Sequence, residues 1–170
     1  EELVWTERWR PQSFDELIFT QKEAILKHLE NRKSIPSLIF YSRSPGTGKT
    51  TLAKLIAKYL DCDMLMLNAS DERGIDTIRD KVKLFAQSLS SDINTKRLVF
   101  MDEFDGCTSI AQNSLRNLIE EFSDNIFCIF SGNDIAKIIE PIRSRCIVFN
   151  FETPDEKQIL NRLKSICDIE

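Results

Sequence analysis

Histidine is almost missing from these 170 residues, and cysteine never occurs in a close pair. His28 is the single histidine. A Ser-His-Asp triad would have to rest on a residue in the polar helical stretch ILKHLENRK, where His28 reads as a surface side chain. Cys62, Cys107, Cys128, Cys146 and Cys167 are odd in number and widely spaced, with no Cys-x-x-Cys. That pattern implies reduced thiols in a cytosolic protein and argues against a disulfide framework or a zinc site. Long apolar runs are missing too: IFCIF at 126–130 is far too short to span a bilayer, and residues 1–20 carry charges throughout. No membrane segment and no signal peptide are expected, which places the protein in the cytoplasm, or the nucleus of a eukaryotic host, and not outside the cell. Repeats, low-complexity tracts and long linkers are absent. A formal charge of -4 excludes a uniformly basic nucleic-acid binder, while a local basic stripe stays compatible with it.

What is present is ordinary for one soluble globular domain: 42% hydrophobic and 29% charged residues. At this size roughly 70% of the unfolded surface can be buried, so no metal is needed for stability. Apolar runs recur as LIFY (38–41), MLML (64–67), LVFM (98–101), IFCIF (126–130) and IVFNF (147–151). Continuous runs without strict alternation suit strands covered on both faces. Helix-like segments at roughly 49–60, 75–89, 109–122 and 134–140 lie between them. The alternation predicts an α/β fold with a five-stranded, mostly parallel sheet flanked by helices. Thr20 with Glu23 reads as a capping box, and Thr153-Pro154-Asp155-Glu156 as a capped start of a last helix with Ile159, Leu163 and Ile166 on one face. That helix wants a surface to pack on, so the chain is expected to be a fragment: a domain over 1–152, then the first helix of a lid over 153–170.

The stretch SRSPGTGKTT (42–51) follows LIFY and precedes the helical pattern LAKLIAKYL, the strand, loop and helix context of a phosphate-binding loop. Gly46 and Gly48 let amides turn inward, Lys49 can reach terminal phosphates and Thr50 can ligate magnesium. Ser44, Pro45, Thr47 and Thr51 complete the candidate nucleotide contacts. Arg43 stands where the pattern asks for its first glycine; function is expected to survive, and the alternative is a loop that Arg43 has closed. About fifty residues on, RLVFMDEFD ends an apolar strand in Asp102-Glu103. Beside a phosphate loop, such a pair supplies a metal-side acid, Asp102, and a general base, Glu103. Asn133, after the run CIFSG, can orient the attacking water or merely form a turn. Arg145, just before the last strand, can face the nucleotide of an adjacent subunit.

Together these motifs resemble the AAA+ ATPases, and among them the clamp loaders of DNA replication. The likeness is carried by TERWRPQSFDELI (6–18), SPGTGKT (44–50), LNASDERGIDTIRDKV (67–82) and IIEPIRSRC (138–146), and it runs over nearly the whole chain. It is nearest to the replication factor C small subunits and to archaeal and tailed-phage large-subunit counterparts. The resemblance implies a P-loop NTPase fold of AAA+ type, ATP and Mg2+ as cofactors, and a homo- or hetero-oligomeric ring acting with a sliding clamp on primer-template DNA. It further implies that Glu7 to Pro11, with Arg10, Pro11 and Ile18 as nucleotide contacts, line the pocket, that Asn133 is the first sensor and that Arg145 is an arginine finger. Phe19 departs from the family's Val-Gly after the DEL segment.

Ile75, Ile78, Val82, Phe85 and Leu89 form one helix face, and Arg79 and Lys83 fall one turn apart beside it. Two such cations can follow successive phosphates of a duplex. From spacing alone, a solvated flank is the favoured reading, given Asp76 and Asp80 nearby. The resemblance reverses this and makes Arg79, Lys83 and, more weakly, Arg116 candidate DNA contacts. The leading function is thus an ATPase subunit of a sliding-clamp loader. Alternatives are another AAA+ nucleic-acid machine, such as a helicase loader or branch-migration motor, and a nucleotide-dependent binding module without hydrolysis.

Overall fold

Five short apolar strands form the centre of the computed structural model, which describes residues 4–70, 74–88 and 96–169. They are β1 (Ser37–Tyr41), β2 (Met64–Asn68), β3 (Arg97–Asp102), β4 (Ile126–Gly132) and β5 (Cys146–Asn150). The sheet order is β2-β3-β4-β1-β5, and every pairing is parallel. Because side chains alternate along a strand, each run feeds two cores. Leu38 and Phe40 of β1, Leu98 and Phe100 of β3, and Phe127 and Ile129 of β4 enter one core. Ile39, Val99, Met101, Cys128 and Phe130 enter the other.

Helices cover both faces. Ile25 and Leu29 of α2 (Lys22–Leu29) and Leu52, Ile56 and Leu60 of α3 (Lys49–Leu60) close the first core; a one-turn α1 (Trp5–Arg8) precedes them. Ile78 and Val82 of α4 (Ile75–Gln87) and Leu115 and Leu118 of α5 (Ser109–Glu121) close the second. Full burial of one such side chain contributes about 1.5–3 kcal/mol. Helix α3 stops at Asp61, a left-handed cap at φ 51, and Arg32 donates to its terminal Leu60 carbonyl at 2.9 Å. Leu89, expected on the apolar face of α4, and Asp71, Glu72 and Arg73 lie outside the described residues.

Several local expectations are corrected. Thr20 caps nothing: α2 begins at Lys22 behind Gln21, with no side-chain cap. Its entry is set instead by Phe19, which stacks on Phe151 at 4.4 Å, and by Gln21, whose amide donates to the Asn150 carbonyl at 3.4 Å. The last helix, α7 (Glu156–Cys167), is capped by Asp155 and Gln158 in a reciprocal box, not by Thr153. Thr153 donates its hydroxyl to Ser44 at 3.1 Å. In place of a helix over 134–140 there are a 3-10 turn, Ile135–Lys137, and a single-turn α6 (Glu140–Arg143). On α7 only Ile166 is buried, while Ile159, Leu160 and Leu163 are exposed. His28 is half-buried, edge-on to Phe149.

All five cysteines are free, as their spacing predicts. Burial pushes the Cys62 thiol up to about 11 and the Cys146 thiol up to about 12, and raises Cys107 and Cys128 as well. Cys167, at the end of α7, is exposed.

Gly48 joins the loop after β1 to α3 at φ +95, with the methyl of Leu17 3.0 Å from where a Cβ would stand; Gly46, at φ +73, has nothing within 4 Å. Gly48→Ala is therefore expected to lower stability by about 1–2 kcal/mol or more from the left-handed backbone alone, and to cost more than Gly46→Ala in equilibrium denaturant unfolding. Equal costs would show that the Leu17 contact carries nothing.

Candidate nucleotide site

All five strands run in one direction, so their carboxyl ends share one edge of the sheet, where open α/β sheets bind ligands. The loop after β1 begins at buried Ser42, whose hydroxyl accepts from the Ser44 amide at 3.2 Å. Left-handed Gly46 and Gly48 then turn the chain into α3, whose first amides have no intrahelical acceptor. Thr47 is 6% exposed, and its hydroxyl is buried without a hydrogen-bond partner. An orphaned hydroxyl beside helix amides that lack intrahelical acceptors fits a bound anion.

A cavity of ≈ 410 Å³ opens over this loop, walled by Gly46 to Thr51 on one side and by Thr6, Trp9, Arg10 and Pro11 on the other. A second compartment of ≈ 230 Å³ adjoins it and shares Trp9, Pro11 and the glycine loop. Its remaining walls are largely apolar: Leu17, Ile18, Pro154 and Ile166, with Glu16 and Arg162. The division suits phosphates in the polar part and a base in the apolar part. Arg10 donates to the Thr51 hydroxyl at 3.0 Å and to Glu7, and that hydrogen bond holds the Glu7 carboxyl below its usual range.

At the strand edge, Lys49 Nζ donates to Asn133 Oδ1 at 3.0 Å. Burial lowers the Lys49 ammonium from the ordinary lysine value, while the Asp102 and Asp105 carboxylates push the other way. Thr50 donates its hydroxyl to Asp102 Oδ2 at 3.2 Å, and Ser131 donates to Asp102 Oδ1. Glu103 sits in the left-handed region at φ 53, with its amide donating to Asp102 Oδ1 at 3.1 Å. Its carboxylate accepts from the Ser70 hydroxyl, after β2, and lines neither compartment. Among the described residues no group of three His, Cys, Asp or Glu side chains can hold a metal. A cation here would draw on the Thr50 hydroxyl, the Asp102 carboxylate, substrate oxygens and water, a hard oxygen set that suits magnesium.

The structure thus brings together Lys49, Thr50, Asp102 and Asn133, and it sets Arg10, Pro11, Ile18, Thr47 and Thr51 along the cavity. Ser44 and Pro45 shape the loop without lining it, and Arg43 is exposed and away from both compartments. Phe19 is engaged with Phe151, leaving Leu17 and Ile18 to wall the apolar part. Arg145 lines neither compartment; it binds Glu120 at 2.8 Å and the Pro141 carbonyl at 2.8 Å. Arg79 pairs with Asp76 at 3.5 Å, Lys83 is exposed one turn on, and Arg116 donates to Asn117 at 2.9 Å. Sequence reasoning missed Thr6, Leu17, Pro154, Arg162 and Ile166. Arg162 reaches the site through Glu16, at 2.9 Å, a partner 146 residues away that no local pattern announces.

Residues 39–153 match the family model described as ATPase family associated with various cellular activities (AAA). The chain is 43% identical to the replication factor C small subunit of Methanococcus vannielii, over 98% of this chain and 54% of that protein. It is 41% identical to that of Sulfolobus acidocaldarius, over 98% of this chain and 53% of that protein. The chain therefore spans about half the length of the curated relatives it matches. Among solved structures, the Thermotoga maritima RuvB Holliday junction branch migration motor superposes with a TM-score of 0.69 at 22% identity, over 94% of this chain and 55% of that one, a likeness of fold alone.

Because Arg43 is exposed and lines neither compartment, Arg43→Gly is expected to leave nucleotide affinity within about threefold of the parent. Titration with a fluorescent ATP analogue measures this, and a large gain in affinity would mean that Arg43 closes the loop.

Proposed function

This chain belongs to the AAA family of ATPases, and from that premise we propose that it is the motor domain of a sliding-clamp loader subunit, working with neighbouring subunits, a clamp and primer-template DNA. The observation that carries this reading is the identity over 98% of the chain to proteins named replication factor C small subunits. The intact Lys49, Thr50, Asp102 and Asn133 constellation supports hydrolysis over a binding module that has lost it. Helix α7 would begin a lid over the base compartment. A loader acts where DNA is replicated, the cytoplasm or a eukaryotic nucleus, and no helix among the described residues is long and apolar enough to cross a membrane.

In this mechanism the loop amides and Lys49 hold the β- and γ-phosphates, and Thr47 gains a partner for its hydroxyl. Thr50 and Asp102 would hold a magnesium ion, which would supply neutralisation of charge on the phosphate oxygens. Asn133 orients the attacking water. Its oxygen bonds to the γ-phosphorus while the bond to the bridging oxygen breaks, ADP leaves, and the water's proton passes to Glu103. For that, Glu103 exchanges the Ser70 hydroxyl for the water. Arg145, which lines neither compartment of its own cavity, serves the site of an adjacent subunit.

In the full-length protein assembled with its partners and clamp, primer-template DNA is expected to stimulate turnover. Arg145→Ala should lower the stimulated rate on the order of a thousandfold, and Glu103→Gln should bind ATP yet lose nearly all turnover. No hydrolysis under any condition would overturn the motor reading. For DNA, Arg79→Ala is expected to reduce the slope of log affinity against log salt by about 0.9; an unchanged slope removes Arg79 from the interface.

A further inference from the structure

Asn133 reaches Lys49 only if the chain leaving β4 is held at one height, and nothing in Asn133 itself enforces that, because it is exposed at a strand end. The restraint comes from the preceding acid motif. After left-handed Glu103 the chain enters a 3-10 turn, Phe104–Gly106, that packs Phe104 on Phe130 and swings Asp105 back beneath the end of β4. There one oxygen, Asp105 Oδ2, accepts from two consecutive amides, Asn133 at 3.0 Å and Asp134 at 3.0 Å. Gly132 makes room: a Cβ there would stand 3.0 Å from Asp105 Cγ and 3.0 Å from Oδ1. The far end of the same loop is tied separately, by buried Gln112, which donates to the Lys137 carbonyl at 2.9 Å and accepts from the Ile139 amide at 2.9 Å.

We propose that Asp105 is a positioning residue for hydrolysis, a carboxylate strut whose hydrogen bonds to the Asn133 and Asp134 amides set the Asn133 carboxamide against Lys49. The proposal rests on the nucleotide-site reading above, in which Lys49 holds phosphate and Asn133 orients water. Its positioning role is geometric, since both hydrogen-bond partners are neutral amides, and Asp105→Asn separates that role from the electrostatic pull of the carboxylate on Lys49. Small displacements of a water-orienting group are costly to rate while leaving binding, spread over the loop amides, nearly intact.

The test uses the full-length protein assembled with its partner subunits and compares Asp105→Ala, Asp105→Asn, Gly132→Ala, Asn133→Ala and the Asp105→Ala/Asn133→Ala pair. Asp105→Ala is expected to lower kcat by about 10–100-fold, with the Kd for ATP within about threefold of the parent. Asp105→Asn, whose amide oxygen accepts the same two bonds, should recover most of the rate, and Gly132→Ala should imitate Asp105→Ala. The pair should be no slower than Asn133→Ala alone, because the strut acts only through that side chain. Hydrogen exchange without nucleotide should accelerate in residues 132–139 of Asp105→Ala and not across the sheet. Multiplying effects in the pair, an Asp105→Asn loss as deep as that of Asp105→Ala, or exchange raised throughout the sheet would overturn the strut. Retained ATP binding in Lys49→Ala would instead overturn the nucleotide-site reading beneath it, so the two failures are distinct.

Discussion

One carboxylate joins the elements on which the site depends. Asp102 accepts from Thr50 in the first turn of α3, from Ser131 near the end of β4 and from the Glu103 amide beside it. These hydrogen bonds tie the start of α3, the end of β3 and the end of β4 to one acceptor, so the three keep their relative heights together. The sheet register makes this possible: Met101 pairs with Phe130 and Phe40 with Ser131, which brings Asp102 level with Ser131. A slip of one residue would send Asp102 to the opposite face and dismantle the site along with the core.

The fold was legible because its signals are local and redundant. Continuous apolar runs needed cover on both faces, and each became a strand of an all-parallel sheet. SRSPGTGKTT lies between a strand and a helix, and its glycines adopt the backbone that only glycine takes up freely. The acid pair and Asn133 fall on the same edge because parallel strands present equivalent ends together. Arg10, Pro11 and Ile18 came from the resemblance, and they too fall along the cavity.

What stayed hidden was long-range or competitive. The Thr20 pattern lost to a ring stack between Phe19 and Phe151, 132 positions apart in the chain by their residue numbers, and Thr153 lost its cap role to Asp155 two residues on. Arg162 and Glu16 meet only after folding. The 3-10 turn after β3 has no periodicity to announce it, so the position of Asp105 under β4 could not be read from DEFDG. Arg145 could be picked out as a cation before a strand, but its Glu120 partner comes from α5.

The uneven shielding of the five thiols has a practical side. A thiol raised to about 11 or 12, as at Cys62 and Cys146, offers a vanishing thiolate fraction at neutral pH, and Cys107 and Cys128 are likewise masked by burial. Cys167 alone is exposed, at the end of the helix whose Arg162 and Ile166 line the apolar compartment. The domain therefore carries one exposed address for a fluorophore or spin label, on α7, while the other four thiols are shielded in whole or in part.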